Sequence, residues 1–484
     1  MIRLAALLLA TSLLAGCDRR SDVGPVVVSA IGKPPSLAEA GRAPKGASRL
    51  LIGATAQGLV SFDSSGQIIP GLAERWIVID DGMSYIFRLR EAEWSNGAKV
   101  TAGEVTAILR RQLAPSARHP LAPFLTAIDE VVEMTPEVIE VRLRHPRPDL
   151  LKLFAQPELA IYRTRPPGGT GPFRIAQTAA SGMLLKPSFD PVRAAADEVE
   201  EPGPEQSVQL IGERASRAIV RFIERKSDLV SGGSFSDWPL VASAGIAPAN
   251  LRVDPAVGLF GLAIANREGF LADSQNRAAI AQAIDRSALV AAFAPGWEPV
   301  DQILPDQLDS AAPPAAPAWK TLSPDDRRAG ARARVIRWSS DHRDPVTLRI
   351  ALPAGPGATI LFGFVGAALR SIGIEPRRVA IGDDADLRLV DEVAPYDSAR
   401  WYLASACAPC SDTARAKLEA AREAPDLTTR AAAIAEADAA INDEVAFIPL
   451  ARPLRWSLVA LRLRQWQTNV RAVHPLNLLR SDPK

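Results

Sequence analysis

The side chains best suited to metal binding or nucleophilic chemistry are few and scattered. The four histidines stand singly, and none lies at metal-ligand spacing from another histidine or from a cysteine. The sequence has no G-x-S-x-G elbow, no H-E-x-x-H motif and no Gly-x-x-x-x-Gly-Lys-Ser/Thr loop. We therefore predict no metal site, no cofactor and no enzymatic activity.

The first residues have the pattern of an export signal. Arg3 precedes an uncharged apolar run over residues 4–14, which is too short to span a bilayer but matches a signal-peptide core. The letters LAGC, ending at Cys17, resemble a bacterial lipobox, which implies a lipidated Cys17; a plain secretory signal is the alternative. Asp18 resembles the inner-membrane retention signal of Gram-negative lipoproteins. We expect a periplasmic protein tethered by lipid to that inner membrane.

Cys407 and Cys410 form a C-x-x-C motif with Ala408 and Pro409 between them. Such a motif can be redox-active or metal-binding. An exported protein meets an oxidising compartment, however, and this sequence offers no thioredoxin-like surroundings. A small structural disulfide between the two cysteines is the interpretation we favour.

Composition limits the size and the partners of the mature protein. The chain has 484 residues, of which 47% are hydrophobic, enough for two or three domains. Its formal net charge of +1 provides no field for attracting nucleic acid, so we expect none as a partner.

Two stretches predict the elements that would position a site. Between Ser84 and Arg90, apolar and polar residues alternate as in a half-buried strand, and Thr101 with Glu104 matches a helix capping box. In the C-terminal half, a strand over residues 346–352, a helix over 359–371 and a strand over 374–381 follow each other. This βαβ order predicts a parallel sheet.

A third stretch predicts a buried strand. Residues 258–265 are apolar at nearly every position, which is typical of a strand covered on both faces. The stretch ends in Asn266, a polar residue that needs a partner. Asp273 then stands where a helix N-cap belongs.

Several motifs, in this order, resemble one family. They are PGLAERW, DDG, YIFRLR, W-SNG and T-AGEV within residues 70–105, GTGPFRI at 169–175, the helix-forming set at 270–290 and AFIPL at 446–450. Together they are similar to the extracytoplasmic solute-binding proteins that serve peptide and nickel ABC importers. The resemblance implies an α/β, two-lobed periplasmic-binding-protein fold (type II, cluster C) with a subdomain inserted in the N-terminal lobe.

The resemblance also implies a division of the chain and a function. A small solute, peptide or peptide-like, would be captured by hinge closure and passed to a permease with its ATPase; a transport-independent sensor or chaperone on the same fold is the alternative. We expect a monomer. The predicted segments are 1–17 signal peptide, 18–57 tether and start of lobe I, 58–163 inserted subdomain, 164–257 lobe I, 258–450 lobe II and 451–484 return to lobe I.

Peptide-binding members carry a W-aDY-dP segment whose aspartate pairs with the α-amino group of the peptide. In the corresponding stretch here, Tyr396 is kept, Pro395 takes the place of the aspartate and Glu392 replaces the tryptophan. Because a buried ammonium without a carboxylate is costly, Asp391, Glu392 or Asp397 would have to supply the charge. Alternatively these acids are solvated surface groups, and the solute is a sugar, an opine or a metal chelate.

Five further side chains are candidates for contact with the solute. Phe260 and Asn266 would lie beside the cleft, at the end of the buried strand, and the other three would form aromatic walls. For each aromatic residue, ordinary core packing is the alternative. The candidates are Trp238, Phe260, Asn266, Tyr396 and Trp401.

Overall fold

The computed structural model describes residues 24–39, 43–165, 167–188, 203–306, 308–342 and 344–480, so the predicted signal peptide and Cys17 lie outside the described residues. The strands are β1 Val26–Ile31, β2 Val60–Phe62, β3 Ile68–Pro70, β4 Ala73–Ile79, β5 Ser84–Leu89, β6 Ile128–Thr135, β7 Val138–Leu143, β8 Tyr162–Thr164, β9 Pro167–Gly169, β10 Phe173–Ala179, β11 Gly182–Pro187, β12 Val208–Glu213, β13 Leu229–Ser234, β14 Leu251–Asp254, β15 Gly258–Ile264, β16 Thr347–Leu352, β17 Glu375–Ala380, β18 Leu387–Val393, β19 Phe447–Ala451 and β20 Arg455–Val459.

Helices connect and cover these strands. They are α1 Gly46–Thr55, α2 Ala102–Leu113, α3 Leu150–Phe154, α4 Ala215–Ile223, α5 Trp238–Ser243, α6 Ser274–Ala283, α7 Arg286–Phe293, α8 Pro324–Asp341, α9 Pro356–Ser371, α10 Ala399–Ala406, α11 Asp412–Glu423 and α12 Leu427–Asp443.

A seven-stranded mixed sheet runs in the order β10-β11-β12-β1-β13-β20-β14. Within this sheet, β1 pairs in parallel with β12 and with β13. Val28 on β1 is buried with Leu51 of α1 and Leu210 of β12 in one apolar core. Because β20 belongs to this sheet, the end of the chain returns to the part where the described chain begins.

A five-stranded sheet runs in the order β17-β16-β18-β15-β19. β16 and β17 are parallel and joined through α9, which confirms the parallel pairing predicted for this half. The apolar β15 is buried on both faces, also as predicted. Phe260, Leu262 and Ile264 enter one core, whereas Leu259 and Ala263 enter another. The predicted N-cap is confirmed as well, since Asp273 accepts a hydrogen bond from the first turn of α6.

A four-stranded antiparallel sheet, β4-β5-β7-β6, is formed by residues 73–143. The alternation predicted for β5 is confirmed, because Tyr85, Phe87 and Leu89 are all buried. The hydroxyl of Thr101 accepts a hydrogen bond from the Glu104 N–H and caps α2, which confirms one half of the predicted capping box. The Glu104 carboxylate, which would complete the box, instead accepts from Trp94 Nε1 at 2.9 Å and pairs with Arg163. This sheet shares an apolar core with α10 and α12, on the side of the five-stranded sheet.

The chain passes between the seven-stranded and five-stranded sheets at residues 255–257 and again at 452–454. These crossovers meet the end of β18, where the Ala394 N–H donates to the Val257 carbonyl at 2.9 Å. The two sheets share one apolar core, which includes Val230 and Leu458 from the first and Leu262 from the second. The end of β18 therefore lies at the junction of the two large sheets.

Candidate functional site

The segment from Asp391 to Asp397 lies where the two large sheets meet, and we call this segment, together with the side chains bonded to it, the junction. It contains the three acids that sequence analysis left as alternatives, and these differ in their surroundings. Asp391 is paired across the two sheets, because Arg455 at the start of β20 donates to its carboxylate at 2.8 Å and to its carbonyl at 3.0 Å. Burial raises the pKa of Asp391 and the Arg455 charge opposes that rise. Asp391 is thus already engaged by the protein.

Asp397 is engaged as well. Its carboxylate pairs with Lys152 of α3 and with the buried guanidinium of Arg471. Burial by itself would raise the pKa of Asp397, but these two cations hold it below its usual value. Arg471 also donates to the Ala394 carbonyl at 2.9 Å, which fixes the backbone of the junction.

Pro395 stands at the position of the family's aspartate, and its carbonyl is linked through Gln156 to α1. Gln156 donates to that carbonyl at 2.7 Å and accepts from Arg49 of α1 at 2.6 Å. Gln156 is only 2% exposed, so both polar ends of its amide are satisfied by protein. Proline has no backbone N–H to donate, and this interaction needs none because it uses only the carbonyl.

Glu392 is the acid that is left available. Among the residues that the structure describes, none forms a hydrogen bond or an ion pair with its carboxylate. The surrounding protein removes part of its hydration and raises its pKa, against the opposing charge of Lys45, yet the side chain remains open to solvent. Gly258 permits the local packing, because a Cβ there would lie 2.0 Å from the Glu392 carbonyl. Glu392 is therefore a recessed carboxylate that a cation from solvent can reach.

Two of the aromatic candidates are packed between the two large sheets. Trp238 donates through Nε1 to the Phe293 carbonyl at 2.6 Å. Phe260 meets Phe235 edge-on, with ring centroids 4.9 Å apart, and also packs on Trp297 at 5.2 Å. Both side chains are buried and pack against other side chains of the protein. Their contact with the solute stays a prediction.

The other two aromatic candidates belong to the core shared with the four-stranded sheet. Tyr396 is buried edge-on against Phe124, with centroids 5.9 Å apart, and Trp401 packs on Tyr402 at 4.9 Å. Their side chains hold α10 and the junction in place.

Asn266 has found the partner that the sequence required. It donates to the Asp386 carboxylate at 3.2 Å and accepts from the Glu268 N–H at 3.1 Å. These bonds fix the turn after β15, and the contact with solute predicted for Asn266 is not tested by them.

Sequence reasoning missed the partners that engage the junction. Arg455 and Arg471 follow the acids by more than sixty residues, and no local pattern marks them. Lys152 did carry a signal, since it is the single charge in the otherwise apolar helix Leu150–Phe154. Gln156 follows two residues beyond that helix and carried none.

Other chemistry is scarce in the described part of the chain. Its residues contain no group of three or more histidine, cysteine or acidic side chains that could hold a metal ion. Within the same ranges, every helix is too short or too polar to cross a membrane. A disulfide joins Cys407 and Cys410 between α10 and α11.

Comparison with known proteins supports a common family. The model of the bacterial extracellular solute-binding proteins, family 5 (middle), matches residues 67–375, more than half of the chain. A probable deoxycholate-binding periplasmic protein, YgiS of Escherichia coli, is 40% identical over 70 residues, which span 14% of this chain and only 13% of that protein.

Two solved structures are similar over nearly the whole length. Haemophilus influenzae OppA in complex with RPPGFSPFR gives a TM-score of 0.79 at 16% identity and covers 95% of this chain and 99% of that chain. The murein tripeptide binding protein MppA of Escherichia coli gives 0.81 at 17% identity and covers 95% and 98%. At such identities the likeness shows the fold, which is α/β and two-lobed, while the family follows from the matched model. The chain belongs to the bacterial extracellular solute-binding proteins of family 5.

Proposed function

We propose that this protein captures a small solute between its two lobes and delivers it to the permease of an ABC importer. One lobe is built on the seven-stranded sheet and the other on the five-stranded sheet, and they close about the crossovers at residues 255–257 and 452–454. A solute that touches both lobes stabilises the closed form. Support comes from the family and from relatives whose names specify a peptide, a murein tripeptide or deoxycholate as ligand.

The observation that carries this proposal is the recessed carboxylate of Glu392. An acid that is partly dehydrated and has no cation bonded to it gains a charge-assisted hydrogen bond when a positive group arrives. Solutes with an ammonium group, such as a peptide or an amino-acid derivative, meet that requirement. Asp391 and Asp397 are neutralised by arginine and lysine, so Glu392 takes the role that an aspartate has in peptide-binding members.

Native mass spectrometry of the purified protein identifies the co-purified solute, and calorimetry with that solute tests the assignment. We expect Glu392→Gln to lower affinity by about tenfold or more, because one charged partner is removed. The matched control is Glu375→Gln, an exposed acid on β17 of the same sheet, which should leave affinity unchanged. Equal affinity of the wild type and Glu392→Gln would refute the assignment.

We also propose that Cys17 is lipidated and anchors a monomer to the membrane. The lipobox-like letters before Cys17 support this. In cells fed labelled palmitate, the wild type should carry the label in the membrane fraction, whereas Cys17→Ser should not. A labelled Cys17→Ser protein contradicts the proposal, and native mass spectrometry reports the oligomeric state.

A further inference from the structure

A cavity of about 510 Å³ lies in the lobe built on the five-stranded sheet. Its walls are the end of α6, the start of α7, residues 299–301 and the segment 319–328 at the start of α8. None of these lining residues belongs to the junction. The cavity is therefore a separate feature, and the proposed function makes no use of it.

Positive charge dominates the lining of this cavity. The lining contains four cations but only two acids, Asp285 and Asp301. Lys320 pairs with Asp301 at 3.1 Å. Arg328 forms an ion pair within α8 with Asp325. The four cations are Arg286, Lys320, Arg327 and Arg328.

Arg286 is the buried cation of the group, with 7% of its surface exposed. It donates to the carbonyls of Pro449, Ala281 and Ile284 at 2.7, 3.0 and 3.2 Å, and no described carboxylate lies within ion-pair distance of it. Its Nη2 has no acceptor among the described residues. Burial lowers the pKa of Arg286 to about 10, which still leaves it charged at neutral pH. The charges of Asp301 and Asp285 act on Arg286 without contacting it, so an anion bonded directly to this buried cation would be favourable.

Trp319 brings a second guanidinium close to the first. The Arg286 guanidinium lies 5.0 Å from the centroid of the indole ring and that of Arg327 lies 5.4 Å from it. Arg327 is half-buried and donates to the Leu322 carbonyl at 3.0 Å. Two planar donor groups beside one aromatic ring suit an oxyanion attached to an organic body.

We propose that this cavity binds a small organic anion whose carboxylate or phosphate group accepts hydrogen bonds from Arg286 and Arg327. The volume exceeds what an inorganic ion requires, and Trp319 with Pro299, Val300 and Pro324 adds apolar groups to the lining. Carboxylate and phosphate share the chemistry that arginine recognises.

Calorimetric titration of the purified protein with citrate and with inorganic phosphate, at constant ionic strength, tests this site. We expect saturable one-to-one binding of at least one of the two anions, and Arg327→Gln should weaken it by about tenfold. Arg332→Gln removes the same charge from an exposed position on the same helix, outside the cavity, and should change affinity by less than about twofold. We use Arg327 because Arg286 supports the fold through its three carbonyl partners.

Two outcomes would overturn the proposal. Either neither anion saturates the protein, or Arg327→Gln and Arg332→Gln weaken binding to the same extent, which would indicate general attraction to a basic surface. Binding of citrate alone would identify the carboxylate as the recognised group, and binding of phosphate alone the phosphate. The variant Glu392→Gln should bind the anion like the wild type, which separates this site from the proposed solute site.

Discussion

The strand β5 is mostly buried, whereas the junction is mostly half-buried with Glu392 exposed, and the two regions are held by different kinds of partner. The strand β5 pairs with β4 and β7, which lie nearby in the chain, and its apolar side chains enter a core that also receives Tyr396 of the junction. At the junction, Asp391 is paired by Arg455, and the partners of Asp397 lie in α3 and near the end of the chain.

The two regions differ in the interactions that stabilise them and in their capacity to bind a solute. Burial of apolar surface is non-directional, so the β5 core stabilises the fold without selecting a partner. Charged and polar groups at the junction need specific partners, and Glu392 is left to bind one from solution. Substitutions in the two regions should therefore separate stability from closure and binding.

The largest loss of stability is expected from Phe87→Ala. Phe87 is fully buried and meets Phe154 edge-on with centroids 5.8 Å apart, so its truncation should lower the free energy of unfolding by about 3–5 kcal/mol. Denaturant titration measures this, and Ile77→Ala, at a 57% exposed position on the neighbouring strand, should cost less than about 1 kcal/mol. Solute affinity of the folded Phe87→Ala protein should match the wild type; a large drop would break the comparison.

A pH effect of intermediate size is expected from Asp149, which stands at the N-terminal end of α3 beside the junction. Burial raises its pKa to about 6, with Asp309 and Asp397 adding to the rise and Lys152 and Arg430 opposing it. Because this exceeds the value of about 3.9 in an unfolded chain, the folded protein holds the proton more tightly. The resulting stabilisation is complete below about pH 4 and is lost as the pH rises through 6.

The variant Asp149→Asn isolates this effect. The difference in unfolding free energy, wild type minus variant, should fall by about 2 kcal/mol between about pH 4 and 7, less than the full shift because the side chain is 27% exposed. Asp438, whose pKa burial also raises to about 6, is present in both proteins and cancels. A difference that does not change with pH would contradict the assignment.

A smaller loss is expected from Gln156→Ala, which removes the bridge between Arg49 and the Pro395 carbonyl. Both hydrogen bonds of the buried Gln156 amide are lost, so the free energy of unfolding should fall by about 1.5 kcal/mol. The closed form should also be weakened, and small-angle X-ray scattering should report a larger radius of gyration. The exposed Gln177→Ala serves as control and should change neither quantity.

The smallest effect is expected from Thr101→Ala, in the region of the four-stranded sheet. Loss of the N-cap hydroxyl of α2 should cost about 1 kcal/mol in thermal or chemical unfolding, without changing scattering or affinity. Thr101→Ser keeps the hydroxyl and should retain most of that stability. If both variants lose stability equally, the cap is not the cause.

Much of the fold could be predicted because its signals are local. The alternation along β5, the cap at Thr101, the cap at Asp273 and the apolar β15 each occupy a few consecutive residues. The sequence could place the candidate site only within a segment. Its three acids carry the same charge, and the sequence favours none of them over the others as the partner of the solute. Their roles differ because of Arg455 and other residues that no spacing rule connects to them.

The sequence by itself determined the elements, the parallel pairing of β16 with β17 and the motifs that identify the family, because periodicity, capping and turn residues act over short distances. Only the tertiary structure decided which acid stays available. Arg455 neutralises Asp391 and Arg471 neutralises Asp397, while Glu392 remains recessed and open to solvent. The physical reason is that an ion pair depends on distance in space, and folding brought these cations to two of the three carboxylates.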